Sequence, residues 1–532
     1  MKRLRLLVLL LAAVLLAGTA FGQSYTLTII HTNDTHARLE PVTLTLGGKR
    51  VEVGGVARRV TLFDMLRARE TNPLFLDAGD VFQGTLYFNQ FLGLADRYFM
   101  HRMGYAAMTL GNHEFDLGPD PLAAFLDGAR FRVLGANADT SAEPSLMGRL
   151  TPWTIVEIGG QRVGIFGLVT PDTAFIANPG PTVRFTDPVE AARRAVRELS
   201  ARGIDKIIAL THQGFPEDLE LARQVDGIDV IVGGHSHTLL GTFPYPELRP
   251  QGEYPTLVRR PDGRQTLVVQ AWEWGKVVGR LQVTFDAQGH VTAWAGNPIL
   301  VTPDIPADTR AGDLIYALAA PVRQLRAQRV AETVTTLDGE RATVRQREGN
   351  LANFIADGMR WKAAAAGVEI ALQNGGGIRA SIPAGPVTVG QTLEVLPFGN
   401  TLVVLDLTGG EILTALEHSA ASWERVAGGF LSGVSGLRYG IDLARPAGSR
   451  IVEVEVWRDN RWHPLDPREN YRVVTNSFLA AGGDGYAVLA GARGYRVDTG
   501  FSDAEAFLEY ARQIGRIEAP VEGRIRLLNA PR

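Results

Sequence analysis

The chain has 532 residues, 45% of them hydrophobic and 21% charged, with a formal charge of −3 at pH 7 and no cysteine. That length is too great for one hydrophobic core, so two or three domains are expected, and the composition is that of an ordinary globular protein. The missing cysteine excludes disulfides, thiolate zinc and iron–sulfur chemistry, and the absence of a basic tract argues against nucleic-acid polymers as partners.

Lys2, Arg3 and Arg5 precede an unbroken apolar run over 6–16, and the small residues Ala17, Gly18, Ala20 and Gly22 follow. This is the layout of a cleavable secretory signal peptide, expected over 1–22. The run falls short of the ~20 residues that a bilayer span requires, and no later segment is long and apolar enough to supply one. A lipid anchor would need a cysteine at the cleavage point. The expectation is therefore a periplasmic or secreted protein with no membrane partner after cleavage. Loss of the three basic residues takes the formal charge from −3 to −6.

Short β-rich runs at 26–31, 73–76, 106–110, 132–135, 162–168, 206–210 and 230–232 predict strands. Amphipathic stretches at 54–69, 88–103, 188–201 and 216–224 predict helices. Alternation of this kind indicates an α/β layered domain over 23–304. Helical periodicity then runs through 305–330, opened by Pro306-Ala-Asp-Thr, and reads as a connecting helix. From 331 to 532 the strand and helix signals resume around Gly-rich turns at 375–377, 428–436 and 482–485, giving a second α/β domain.

Histidine is scarce, ten in all, and six of the ten lie just past predicted strand ends or in the loops that follow: His31, His36, His113, His212, His235 and His237. Asp34-Thr-His36, Gly79-Asp80, Gly111-Asn112-His113-Glu114, Thr211-His212 and Gly233-Gly234-His235-Ser236-His237 each follow a different strand. Ligand sites in open α/β sheets gather beyond the carboxyl ends of the strands, so five strand ends deliver metal-ligand groups to one rim. Two divalent ions held ~3.5–4 Å apart need a shared carboxylate with neutral imidazoles around it. Oxygen and imidazole donors without thiolate suit Mn, Fe, Co or Zn. The glycines before Asp80, Asn112 and His235 are expected to permit tight turns that present these side chains.

This series resembles the calcineurin-like metallophosphoesterase motif set. The longer strings HTNDTHA, GNHEFDLG, NGGGIRA, LPFGN and FLAAGGDGY resemble the 5′-nucleotidase family within it, over residues 29–486. The resemblance implies a four-layer α/β/β/α catalytic domain, a linker helix and a C-terminal α/β substrate-binding domain. It implies one divalent ion (Zn, Mn or Co) held by Asp34, His36, Asp80 and His237, and a second held by Asp80, Asn112, His212 and His235. Known periplasmic relatives carry an amide where this chain has His237, so metal preference could differ. A hydroxide held by two such cations would attack phosphorus, with His113, hydrogen-bonded to Asp116, stabilising the transition state or protonating the leaving group. The alternative for His113 is a seventh ligand.

In the second half, the Asn374-Gly-Gly-Gly-Ile-Arg379 turn follows an apolar run. It is expected to expose backbone N–H groups, Gly376 at its centre, and to bring Arg379 near an anion. Phe398 and Phe478 sit beside Gly-rich loops, where two aromatics could stack on a base. The resemblance implies that they sandwich the base, that Asn400 and Asp484 contact base and ribose, and that Asn374 also belongs to the substrate site. It implies that Arg379 and Arg345, with Arg347 in reserve, bind phosphate. Function is then hydrolysis of nucleoside 5′-monophosphates to nucleoside and phosphate, extending to nucleotide polyphosphates or UDP-sugars. Alternatives on the same scaffold are a 2′,3′-cyclic phosphodiesterase with 3′-nucleotidase activity, a thiosulfohydrolase, which would have no use for the phenylalanines and arginines, and a non-catalytic nucleotide-binding protein. Oligomeric state stays open.

Overall fold

Continuous apolar runs form strands buried on both faces, and such strands need cover on both sides. The computed structural model describes residues 24–421, 423–425 and 427–530; the expected signal peptide at 1–22 lies outside them. The runs in the first half become two sheets. In one, Tyr25–Thr32, Pro73–Asp77, Ala107–Thr109 and Arg132–Leu134 lie side by side and parallel, with Val277–Phe285 and Val291–Gly296 added antiparallel at one edge. In the other, Gln161–Val169, Ile207–His212, Val230–Gly233 and Gln265–Gln270 are parallel, flanked by the antiparallel strands Trp153–Ile158 and Thr256–Arg259.

The two sheets share a core, in which Leu27, Ile29, Leu74 and Leu76 meet Val163, Ile165, Leu210, Val232 and Val269. Helices Pro188–Ser200 and Phe215–Gln224 cover the outer face of the second sheet through Ala191, Ala195, Leu199 and Leu221. Helix Val56–Arg69 covers the outer face of the first, Phe63 packing on Phe75 and Tyr105. Four layers, α/β/β/α, result. Among the described residues, no helix is long and apolar enough to cross a membrane.

Two local expectations are corrected. The helix expected at 88–103 is two helices, Leu86–Phe91 and Leu94–Met103. Leu92 and Gly93 between them take φ of 50° and 79°, and a Cβ on Gly93 would lie 2.2 Å from the Phe82 ring. The sequence pattern also gave no sign of the hairpin Pro41–Leu46 and Lys49–Gly54. Its turn is Gly47-Gly48, both at positive φ, the backbone that matches the twist of two-residue hairpins.

The second half builds a five-stranded sheet ordered Leu431–Ser435, Ile370–Asn374, Asn470–Asn476, Thr401–Thr408 and Arg496–Ser502, with smaller three- and four-stranded sheets beside it. Apolar clusters line both of its faces. By contacts the chain forms two compact units. One holds the residues up to Val81, Asp96–Pro171 and Gly180–Gly312; the other holds Phe82–Ala95, Asp172–Pro179 and the chain from Asp313 on. The boundary falls inside the helix Thr309–Arg326.

Gly167 marks a close approach between the two sheets of the first unit. A Cβ there would meet the Leu134 carbonyl oxygen at 2.7 Å and its Cβ at 2.5 Å. Because the obstacle is backbone, Gly167→Ala is expected to cost about 1–3 kcal/mol, the usual penalty of overpacking. Chemical denaturation checks this, and an unchanged midpoint would contradict the close sheet contact.

Candidate active site

Parallel strands put all their carboxyl ends at one rim of each sheet, so the residues just beyond those ends meet. Asp34 and His36 follow Tyr25–Thr32, Asp80 follows Pro73–Asp77, and Asn112 and His113 follow Ala107–Thr109. His212 ends its own strand, and His235 and His237 follow Val230–Gly233. The structure brings all eight together. Their donor atoms form three overlapping groups, Asp34/His36/His237, His36/Asp80/His113 and Asp80/His212/His235, each with its atoms within 4.8 Å of one another.

Asp80 belongs to two of the groups, its Oδ2 lying 2.9 Å from His212 Nε2 and 3.9 Å from His36 Nε2. His237 Nε2 is 3.3 Å from Asp34 Oδ1 and 3.2 Å from His36 Nε2. His235 Nδ1 is 3.0 Å from the Asn112 amide oxygen, while the buried Asn112 amide nitrogen has no hydrogen-bond partner. His113 Nδ1 lies 2.5 Å from Asp116 Oδ2, as the sequence suggests, and its backbone N–H donates to Asp80. Its Nε2 is 3.9 Å from Asp80 Oδ2, so the ligand alternative stays geometrically open.

Burial and charge set the state of these groups. Burial opposes ionisation of Asp34 and Asp80, but the surrounding imidazoles outweigh it and hold both carboxyls below the usual range. Burial lowers His36 to about 4 and His235 to about 3, favouring the neutral imidazole that a cation requires. For His212 burial is again the largest effect, yet Asp80 and Asp34 prevail and push it up to about 9. His212 Nδ1–H donates to the Ala78 carbonyl at 2.6 Å, which leaves Nε2 facing Asp80. Buried carboxylates, an amide oxygen and oriented imidazoles, all free of thiolate, are the donor set for divalent cations.

The turns that carry these residues are strained. Asp34, His36, Asp80, His235 and His237 all have φ between 49° and 74°. Non-glycine residues rarely adopt this backbone, which costs of order 1–3 kcal/mol at each position. Of the three glycines expected to make tight turns, only Gly79 has positive φ. Gly111 and Gly234 serve by being small: a Cβ would meet Asp80 Oδ1 at 2.0 Å and the Ala78 carbonyl at 2.7 Å respectively. Sequence reasoning also passed over Glu114 and Asn33. The buried Glu114 carboxylate accepts N–H from Asp80, Val81 and Gly111. Asn33 donates to Asp34 Oδ2 and to the Trp272 carbonyl. The acid beside a histidine in GNHEFDLG was a visible signal for Glu114; Asn33 had none.

In the second unit, sheet topology gathers the other set. Ile370–Asn374 runs parallel to Asn470–Asn476, and Thr401–Thr408 runs antiparallel to it with Leu402 opposite Asn476. Asn374, Phe478 and the start of the 401–408 strand therefore share one end of the sheet. Thr401 N–H donates to Ser477 Oγ, joining the loop of Phe398 and Asn400 to the helix of Phe478. Asn374 donates to Asp484, whose φ is 53°, and accepts from Asn476. Phe478 packs where a Cβ on Gly483 would sit. Asn400 donates to Asp503 at 3.3 Å.

Phe398 and Phe478 are 51% and 46% exposed, so neither is a core residue. The Arg379 guanidinium lies 5.5 Å from the centre of the Phe398 ring. Burial, and then Arg341 and Arg379 nearby, lower Arg345, while Asp484 acts the other way. The charged set around Arg345 thus contains Arg341, one helical turn earlier and not chosen from sequence; Arg347 lies just past the turn that follows. The expected nest of free amides is not there. Gly375 and Gly376 N–H donate to the Phe430 and Gly428 carbonyls, so the glycines supply room instead. A Cβ on Gly375 would lie 1.6 Å from the Val344 carbonyl.

A two-sheet α/β/β/α unit with carboxylates and imidazoles converging at its strand ends defines a metallophosphoesterase. Residues 27–239 match the calcineurin-like phosphoesterase family, and 329–491 match the 5′-nucleotidase C-terminal domain. The chain is 39% identical to a 5′-nucleotidase of Diplobatis ommata over 96% of its own length and 92% of the relative's. Among solved structures, a 5′-nucleotidase precursor from Thermus thermophilus is 62% identical with a TM-score of 0.63, covering 95% of this chain and all of that one. A Haemophilus influenzae NAD nucleotidase is 30% identical with a TM-score of 0.83, covering 95% and 99%. The chain belongs to the 5′-nucleotidase family and is a metal-dependent phosphoesterase hydrolase.

Asp80 is the carboxylate common to two of the candidate groups. Asp80→Ala is therefore expected to abolish hydrolysis and to retain at most one ion per chain. Elemental analysis of the purified variant checks it, and two bound ions in an active variant would overturn the shared role of Asp80.

Proposed function

We propose that the chain is an exported 5′-nucleotidase that holds two divalent cations and releases phosphate from nucleoside 5′-monophosphates, with polyphosphates or UDP-sugars as further substrates. The observation that carries this reading is the coexistence of the carboxylate–imidazole centre in one unit with two exposed phenylalanines beside Arg345, Arg379 and Asp484 in the other. Asp34, His36, Asp80 and His237 would hold one cation, and Asp80, Asn112, His212 and His235 the second. Cations held there supply Lewis-acid charge for a phosphoryl group and acidify water. The relatives' names support nucleotide substrates, and the basic and apolar start of the sequence supports export.

The chain's own residues do the rest. Asp116 accepts from Nδ1–H of His113 and stabilises its imidazolium, whose Nε2–H then faces the charge developing on the ester. Arg345, Arg379 and Arg341 offer guanidinium forks to phosphate oxygens, for which their geometry is suited. Phe398 and Phe478 stack on the base, and Asn400 and Asp484 meet polar edges of base and ribose. Recognition of the nucleoside is thereby separated from the chemistry at phosphorus.

His113→Ala is expected to keep both cations and to lose about 10²- to 10⁴-fold in turnover, the usual contribution of a positioned acid. Metal analysis beside the rate decides it, since loss of a cation would make His113 a ligand.

The nucleoside reading has a sharper test. Stacking on an aromatic is worth roughly 1–3 kcal/mol per base, so Phe398→Ala or Phe478→Ala should lower kcat/KM for AMP by about 5- to 150-fold. p-Nitrophenyl phosphate has no base and should be hydrolysed almost as before. If both substrates fall together while metal content holds, the phenylalanines do not read a base and the proposal loses its support.

A further inference from the structure

His237 is a candidate ligand whose partner lies outside the motifs read from the sequence. Its Nδ1 is 2.7 Å from Oε2 of Glu273, in a turn just beyond the strand Gln265–Gln270. The other oxygen of that carboxylate is occupied: Lys276 Nζ donates to Oε1 at 2.5 Å. Paired with a buried ammonium, the carboxylate is an acceptor, so Nδ1–H of His237 is the donor and Nε2 is the ring atom left to meet a cation. That Nε2 is the atom facing Asp34 and His36.

The turn is built at a cost. Trp272 and Trp274 flank Glu273, and both are left-handed, at φ of 56° and 59°. Bulky residues take that backbone only when their surroundings impose it. Here Trp272 N–H donates to the Thr238 carbonyl and Trp274 N–H to the Asp34 carbonyl, and the Trp272 carbonyl accepts from Asn33. The turn is thus pinned to the loops that carry Asp34 and His237. The indoles also have a task, because Lys276 Nζ lies 3.4 Å from the centre of the Trp272 ring and 4.5 Å from that of Trp274. Ring faces attract a desolvated cation. Glu273 is consequently held between an imidazole and an ammonium, with little freedom to rotate.

We infer that Glu273 is a positioning residue that makes His237 a metal ligand, fixing Nε2 as its donor atom and setting the direction of its lone pair. This rests on the metal-centre reading above. A carboxylate behind a ligating imidazole orients the ring and raises its basicity, and losing such a partner costs about 10- to 100-fold in metal affinity.

The experiment is chelator competition with the metal-loaded protein, reading stoichiometry and affinity for Zn and Co without substrate, with the visible spectrum of the Co form as a second readout. Glu273→Ala should weaken one of two cations by about 10- to 100-fold and shift the Co spectrum. Glu273→Gln, whose amide oxygen still accepts from Nδ1–H, should restore most of the affinity. Since Glu273→Ala strands the Lys276 ammonium, the double variant Glu273→Ala/Lys276→Met removes both charges and should show the same weakening. In a His237→Asn background there is no ring to orient, so adding Glu273→Ala should change affinity no further. Equal weakening in both backgrounds, or two cations held as in the unaltered protein by Glu273→Ala, would overturn the inference. An unaltered protein that holds no pair of cations would instead overturn the metal-centre reading on which it rests.

Discussion

Two carboxylates, Asp34 and Asp80, must stay ionised where water is excluded, and the first unit is organised around that requirement. Burial alone would place protons on both; the imidazoles of His237 and His212 prevent it. Bringing so many donors within a few ångströms of one another cannot be done with relaxed backbone on a single loop. The solution is to take one or two residues from each of five strand ends and to turn the chain left-handed at Asp34, His36, Asp80, His235 and His237. The loops then fix one another. Asp34 N–H binds the Gly79 carbonyl, His36 N–H the Asp80 carbonyl, and His235 N–H the Asp34 carboxylate. Strain of this kind persists only where the structure over-determines it, and two facing sheets with a shared core supply that rigidity.

The second unit meets a different demand with the same device. The nucleoside recognition proposed for it would need aromatic faces left open to solvent, which a protein ordinarily buries. Phe398 and Phe478 remain exposed, one on a turn and the other in the short helix Ser477–Ala480 at the end of the five-stranded sheet, and neither belongs to the apolar clusters of that unit. Asp484, again left-handed, is held by Asn374, and Asn374 in turn by Asn476. Polar side chains that anchor one another through the end of a sheet give the loop its shape at no expense to the core.

Much of this was legible in the sequence, for a physical reason. Parallel strands carry continuous apolar runs and release their functional residues immediately afterwards, so fold and ligand set are written in the same short strings; the strand expected at 206–210 is Ile207–His212, and its final residue is a candidate ligand. What was not legible depends on distant partners. Asn33 bonds a carbonyl 239 residues away, and Glu273 reaches His237 from beyond a strand whose pattern was not singled out. The break at Leu92 and Gly93 depends on the Phe82 ring. The Gly375–Gly377 turn looked like an anion nest because its local pattern is the same whether its amides are free or satisfied by the Phe430 and Gly428 carbonyls. Arg341 escaped because one helical turn separates it from Arg345, a spacing that carries meaning only once the short helix Arg341–Val344 is known.

The arginine set bears on how a reaction of this kind would release its product. Burial, and then the charges of Arg341 and Arg379, disfavour the charged form of Arg345, and Asp484 offsets that only in part. In the proposed site a phosphate dianion would favour that charged form on arrival, and the energy gained would belong to the charge, not to the base. The proposed stacking on Phe398 and Phe478 would be the opposite kind of interaction, indifferent to whether phosphate is still attached. In the proposed reaction the nucleoside product keeps the stacking but forfeits the guanidinium attraction. Affinity therefore falls when the ester bond is broken, which is the direction turnover requires. A pocket that relied on stacking alone would hold nucleoside and nucleotide about equally, and one that relied on arginines alone would accept any phosphate. The combination discriminates on both counts.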